Sequence, residues 1–278
     1  MERICGSELP PSAFVAVATG RSGGRRARCY AVALLVVLIS ATGCSTTVGG
    51  AARAPANLTT RFLDGHTLER VLLGKSALSR VVREPVELDP GFPPFVGGPE
   101  MLGRVRSEGS ESCLGVAVMM RAGAYRSANV KAVAFTTWRP TAPSGAAVIR
   151  VQEAAIGLPT ADQAYALFST IARRWQECDG KTVPIAGGSL PLEVKVSHVQ
   201  SASSVVAATI STQWNMPPSF SPPALPAERA VGVRDNCLIE VEVDFFDAPS
   251  ALQDGTRDAN ARALDIAQVM RDKVSALS

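Results

Sequence analysis

The sequence predicts an α+β fold: a single domain in which an antiparallel β-sheet carries helices packed mainly on one face. Three observations predict it. A well-capped amphipathic helix starting at Thr160 follows directly on a strand-like segment. The stretch 237–246 alternates apolar and polar residues and faces 229–234 across a two-residue turn. An alanine-rich amphipathic stretch closes the chain.

In chain order, residues 1–43 read as a signal peptide. A basic stretch at 22–28 (SGGRRAR) precedes the apolar run 30–39 (YAVALLVVLI). A bilayer core needs roughly 20 apolar residues, so this run does not span one; it has the length of an h-region behind a basic n-region. Residues 1–20 add nothing to that pattern, which points to a start further along. Ala41, Thr42 and Gly43 then lead to Cys44. Small residues before a cysteine suit a lipoprotein signal peptidase, so Cys44 is expected to take a diacylglycerol and become the mature N-terminus. The pattern resembles the bacterial lipobox, with Ala41 where leucine is usual. A chain so modified is anchored to the outer face of the cytoplasmic membrane without spanning it. Residues 44–63 are small, polar and broken by Gly and Pro, as a flexible tether is.

The domain proper occupies 64–278. Leu68, Val71, Leu72, Leu78 and Val82 form a helical stripe over 67–82, interrupted by Gly74. Residues 85–100 (PVELDPGFPPFVGGPE) are so rich in Pro and Gly that they are expected to be loop. Strands follow at 131–139, closed by Pro140, and at 147–158. Thr160 and Gln163 make a T-x-x-Q capping box, after which Ala164, Leu167, Phe168, Ile171 and Trp175 share one face. Cys178 lies one turn beyond Trp175, and Gly180 ends the helix. Alternation marks strands at 192–200 and 205–214, then a proline-rich loop at 216–226. Asp235-Asn236 is a two-residue hairpin turn between 229–234 and 237–246. The last helix, 257–276, puts Ala263, Ile266, Ala267, Met270 and Val274 on its core side.

Composition narrows the function classes. With 28 Lys and Arg against 25 Asp and Glu, and much of the positive charge inside the leader, the domain is close to neutral. It has no basic face for a phosphate backbone, so nucleic acid is not an expected partner. Outside the leader and Cys44 the cysteines are Cys113, Cys178 and Cys237. Three thiols allow one disulfide and one leftover, and spacing does not say which two pair. Without a C-x-x-C and with only His66 and His198, no metal site is expected. No G-x-S-x-G, S-x-x-K, H-E-x-x-H or phosphate-cradling glycine loop occurs, so neither a catalytic residue nor a cofactor is assigned.

The order of elements and four sequence features resemble the PknH-type extracellular sensor domain, the external part of a receptor serine/threonine kinase that also occurs alone in envelope lipoproteins. They are the Ser-Cys113-Leu-Gly segment, the Arg-Trp175-Gln-Glu-Cys178-Asp-Gly helix end, the segment running from Arg229 to Asn236 (RAVGVRDN), and the closing helix. The resemblance covers roughly 64–277. It implies a Cys113–Cys178 disulfide closing a loop of about 65 residues, worth about 4 kcal/mol by loop entropy. It also implies a second disulfide across the C-terminal hairpin, but the matching positions here are Ala227 and Asp244. Centring the turn on Asp235-Asn236 places those two opposite one another, so both partners are replaced together. Cys237 is left as a packed thiol on the core side.

Glu240, Glu242 and Asp244 share one face of the last strand. The plainer reading is a solvated outer face, with Arg229 opposite Glu242 as a cross-strand ion pair. The sharper one is the polar wall of a ligand cleft. The resemblance implies a membrane-tethered, non-enzymatic domain that binds an unidentified ligand or envelope partner. A lipid carrier with a large apolar cavity is the alternative, and an envelope hydrolase of unrecognised type comes third.

Overall fold

The computed structural model describes residues 63–103, 111–144, 146–185, 191–202, 204–216, 222–247 and 261–278. The leader, Cys44 and the tether lie outside them.

The stripe over 67–82 becomes two helices. In α1 (Gly65–Glu69) the Asp64 side chain caps by accepting the Thr67 N–H. Gly74 then breaks the periodicity, and α2 (Lys75–Val82) begins directly after it. The proline-rich stretch expected to be loop carries two short strands, β1 (Val86–Leu88) and β2 (Phe95–Gly97). Its prolines bracket these strands instead of interrupting them, and both strands lie at the sheet's edge, paired with β3 (Ala132–Pro140). Between them and β3 come α3 (Glu111–Ala117) and a 3-10 turn at Ala122–Tyr125.

After β4 (Val148–Gly157), the Thr160 hydroxyl accepts the Gln163 N–H at 3.2 Å and opens α4 (Ala161–Cys178). Gly180 turns the chain with φ 76°, a left-handed conformation that glycine adopts without strain. The strands β5 (Thr182–Ile185), β6 (Leu192–Ala202), β7 (Val205–Trp214), β8 (Leu225–Arg234) and β9 (Cys237–Phe245) then meander, and α5 (Ala261–Leu277) ends the chain. The sequence gives no sign of β5, which is four residues long and contains Pro184.

All pairings in the nine-stranded sheet are antiparallel, in the order β1-β3-β4-β9-β8-β7-β6-β5, with β2 beside β3. The last strand of the meander thus inserts next to β4 and joins the two halves. Asp235 takes φ 48°, as the two-residue hairpin requires, and the register pairs Ala227 with Asp244 and Arg229 with Glu242.

The fold is α+β, but the helices divide between both faces of the sheet instead of crowding onto one. Helices α3 and α4 cover the first face, where Leu114, Leu167, Ile171 and Trp175 meet Ile156, Val194, Val206 and Leu238. Helices α1, α2 and α5 cover the second, packing Leu68, Leu78, Ile266 and Met270 on Val151, Ala207, Ile239 and Val241. The alternation in β9 suggested a wet face. Its charged residues are instead covered and ion-paired, so alternation there marks chemistry and not solvent.

Cys113 on α3 and Cys178 at the end of α4 form a disulfide with Cα atoms 5.6 Å apart. It clamps the two helices of the first face together, and Cys237 is buried and unpaired on the other face. The bond closes a separation of 65 residues. Replacing both cysteines with alanine is expected to cost about 4 kcal/mol, read from the urea midpoint under non-reducing conditions.

Two carboxyls are buried on the second face. Glu228 accepts the Ala263 N–H at 3.0 Å and so fixes the first turn of α5 to β8; burial pushes its carboxyl up to about 7. Glu153 accepts the Leu73 N–H and the Trp138 indole N–H, each at 3.2 Å, and ties the link between α1 and α2 to β4. Burial pushes Glu153 up to about 8, against those two donors and the nearby Lys273 ammonium. Because the folded state holds this proton more tightly than the unfolded one, the Glu153 contribution to stability is fullest at acid pH and is lost as pH rises from about 4.5 to about 8. Glu153→Gln should therefore raise Tm at pH 8.5 and change it little at pH 4. Thermal melts of both proteins across that range measure the difference.

Candidate functional site: a polar band across the first face

The site is built from alternation in three neighbouring strands. On β9, Glu240, Glu242 and Asp244 point to the first face along with Leu238. On β8, Arg229 stands directly opposite Glu242. On β4, the ladder places Gln152 opposite Glu242 and Arg150 opposite Asp244, where a bulge shifts the register.

The inner end of this band is fully enclosed. Arg229 donates to Glu240 Oε2 at 2.6 Å and to the Val116 carbonyl at 3.1 Å, and its Nε lies 3.4 Å from Glu242. Its guanidinium stands 5.6 Å from the centre of the Trp175 ring. Glu240 also accepts the Met120 N–H at 3.1 Å and the Tyr125 hydroxyl. Burial first, then the Glu240 charge, holds the Tyr125 phenol well above its ordinary value. One guanidinium and one carboxylate thus gather the end of α3, the turn at Ala122–Tyr125, α4 and two strands.

Moving outward, the band opens. The Glu242 side chain is 13% exposed, Asp244 17% and Arg150 33%. Gln152 donates to Glu242 at 3.3 Å, and Arg150 grips Asp244 with two bonds of 2.9 and 2.6 Å. Burial raises the Glu242 carboxyl above the ordinary carboxylate range, outweighing the pull of Arg229. Trp138 pairs with Val151, so Arg139 follows toward Arg150 along the ladder, and Arg139 binds Glu87 at 2.8 Å. Phe92, 53% exposed, sits with its ring centre 5.8 Å from the Arg150 guanidinium. Thr137, paired with Gln152, is buried, and among the described residues its hydroxyl has no hydrogen-bond partner.

The acidic row is therefore neither one plain solvated face nor one open wall. Glu240 is a buried structural anion, while Glu242 and Asp244 are mostly covered, ion-paired groups that reach the surface only at their edges. The Arg229–Glu242 pairing expected from the hairpin is present. Arg150 and Gln152 are polar at i and i+2 in a strand, a signal the sequence did contain. Phe92 and Tyr125 come from irregular segments whose placement only the folded chain decides. His66 is exposed on α1, and His198 takes φ 53° within the β6 irregularity, far in the chain order from the band. Among the described residues no group of His, Cys, Asp and Glu is arranged to hold a metal ion, and no helix is long and apolar enough to cross a membrane.

A family model described as the PknH-like extracellular domain matches residues 63–273. The chain belongs to this family. No curated protein matches it significantly. Among solved structures, the extracellular domain of PknH from Mycobacterium tuberculosis superposes with a TM-score of 0.61 at 18% identity, covering 78% of this chain and 98% of that one. At that identity the likeness concerns the fold, and the PknH-like fold is what the two share. An uncharacterised protein from Mycobacterium smegmatis matches at 10% identity and a TM-score of 0.36, over 76% of this chain and 96% of its own. That match is too distant to bear on function. The family is an extracellular sensor-type domain and not a catalytic one.

Two small cavities lie away from the band. One of about 190 Å³ lies beside Ser127, Gln163 and Thr170, and one of about 150 Å³ beside Glu84, Pro140 and Ser144. Both are smaller than the ~300 Å³ at which ligand pockets usually begin.

The enclosed end of the band has a measurable consequence. Arg229→Met would leave Glu240 and Glu242 without their buried counter-ion, at an expected cost of about 3–5 kcal/mol. Chemical denaturation should show that loss, and Arg229→Met with Glu240→Gln should recover part of it.

Proposed function

We propose that this chain is an exported, lipid-tethered binding domain without catalytic activity, and that a ligand or envelope partner engages the open end of the polar band. The observation that carries the reading is the row Arg150, Gln152, Glu242 and Asp244, left partly open on a sheet face that is elsewhere apolar and covered by helices. Replacing a desolvated ion pair by apolar packing is often neutral or stabilising, so stability alone does not call for this row, and a few convergent polar groups beside apolar walls are what a binding surface needs. Membership of an extracellular domain family supports export, and so does a disulfide, which persists in an oxidising compartment. The leader pattern ending at Cys44 supports attachment by lipid to the outer face of the cytoplasmic membrane, with the domain as the binding module.

Mass spectrometry of the full-length protein purified from membranes tests both halves. Cys44 is expected to carry a diacylglycerol thioether, and solvent extraction is expected to release a co-purifying small molecule. That molecule should fall at least several-fold in Asp244→Asn, which loses the charge that holds Arg150. An unmodified Cys44 would remove the lipid tether, and equal retention by the variant would move the binding site elsewhere.

A further inference from the structure

The chemistry of the occupant follows from the polar band, provided that it is the binding surface proposed above. Its charges nearly cancel, three guanidiniums standing against four carboxylates, of which burial biases Glu242 toward its neutral form. Arg150 is satisfied by Asp244, Arg139 by Glu87, and Arg229 by Glu240 and Glu242. A phosphate or carboxylate would have to break an existing pair to find a cation, and an amine would have to compete with Arg229 for Glu242, the carboxylate in excess. A neutral ligand would break none.

The open groups also mix donors and acceptors at close range. The Arg150 guanidinium and the Gln152 amide donate, and the Glu242 and Asp244 carboxylates accept, within one patch of two adjacent strands. A hydroxyl, which donates and accepts at once, matches such a patch, whereas a carbonyl or an ammonium uses only half of it. Thr137 adds a buried hydroxyl, unpartnered among the described residues, next to Gln152 in the ladder.

Phe92 supplies the apolar half. Its ring is half-exposed, has the Arg150 guanidinium over it at 5.8 Å from the centre, and is held by a turn in which the Phe92 N–H reaches the Asp89 carbonyl at 3.1 Å. An exposed aromatic ring next to donors and acceptors suits a molecule with C–H groups on one side and hydroxyls around its rim.

We propose that this face binds an uncharged polyhydroxylated ligand, a pyranose unit of a glycan, stacked on Phe92 and hydrogen-bonded by Arg150, Gln152, Glu242 and Asp244. The full-length chain in a non-glycosidic detergent is titrated with trehalose, maltose and cellobiose, with inorganic phosphate and spermidine as charged controls, by saturation-transfer NMR and calorimetry. At least one disaccharide is expected to bind, with its ring C–H protons receiving saturation and neither control competing. Phe92→Ala should weaken that binding up to about 10-fold, and Gln152→Ala about 5-fold. Both residues lie at the surface or beside it, and an unchanged Tm checks that each variant is folded. Binding that Phe92→Ala leaves intact overturns the site. Failure of every sugar overturns the glycan, as does binding of phosphate or spermidine instead. In either of those cases the binding-surface reading still stands or falls on the co-purified molecule and its loss in Asp244→Asn.

Discussion

A guanidinium with no access to water sits at the centre of this domain. Arg229 is stranded beneath two helices unless every one of its contacts forms, because an unpaired charge in such a place is worth several kcal/mol against folding. Its contacts are long-range: Glu240 and Glu242 on the next strand, the Val116 carbonyl at the end of α3, and the Trp175 ring on α4. The disulfide between Cys113 and Cys178 joins the same two helices that cover it. The first face of the sheet therefore closes as a unit, and the open end of the polar band inherits its geometry from the closed end. Glu242 is ion-paired inward with Arg229 and accepts a hydrogen bond outward from Gln152, so the surface groups are positioned by the buried ones.

The second face uses a different device. There the charged groups are isolated carboxyls held by backbone N–H donors, Glu228 at the start of α5 and Glu153 at the link between α1 and α2. Each fixes a helix to the sheet at the cost of a raised proton affinity. Lys273 on α5 donates to the Leu72 carbonyl nearby, so both helical layers of this face meet around Glu153. The two faces thus solve the same problem of a wide sheet in opposite ways, one by an ion-pair cluster and a disulfide, the other by single carboxyls.

The hairpin of β8 and β9 links structure to the candidate site. Ala227 and Asp244 face each other in the ladder, at the place where the family resemblance implies a second disulfide. With no sulfur there, Asp244 turns to Arg150 on the opposite neighbour strand. Where the resemblance implies a covalent tie between β8 and β9, this chain has an ionic one between β9 and β4, and one end of the band carries a partly exposed charged pair.

Local patterns settled much of this protein by themselves. The T-x-x-Q box and the apolar face through Trp175 determined α4, and Asp235-Asn236 determined the hairpin and its register, because both depend on residues a few positions apart. The pairing of Cys113 with Cys178 came from the family resemblance, since spacing among three cysteines leaves it open. Tertiary structure decided the rest. Alternation in β9 says which residues share a face but not what covers that face, and α5 was free in the sequence to pack on either side. Glu240 reads as a surface carboxylate until Arg229, Tyr125 and the Met120 N–H converge on it from more than one part of the chain. Phe92 lies in an irregular, proline-bracketed segment with no periodicity to read, so its place beside Arg150 depends on β1 and β2 docking on β3. Charge, capping and turns act between near neighbours and are written locally, whereas burial is a property of what arrives from far away.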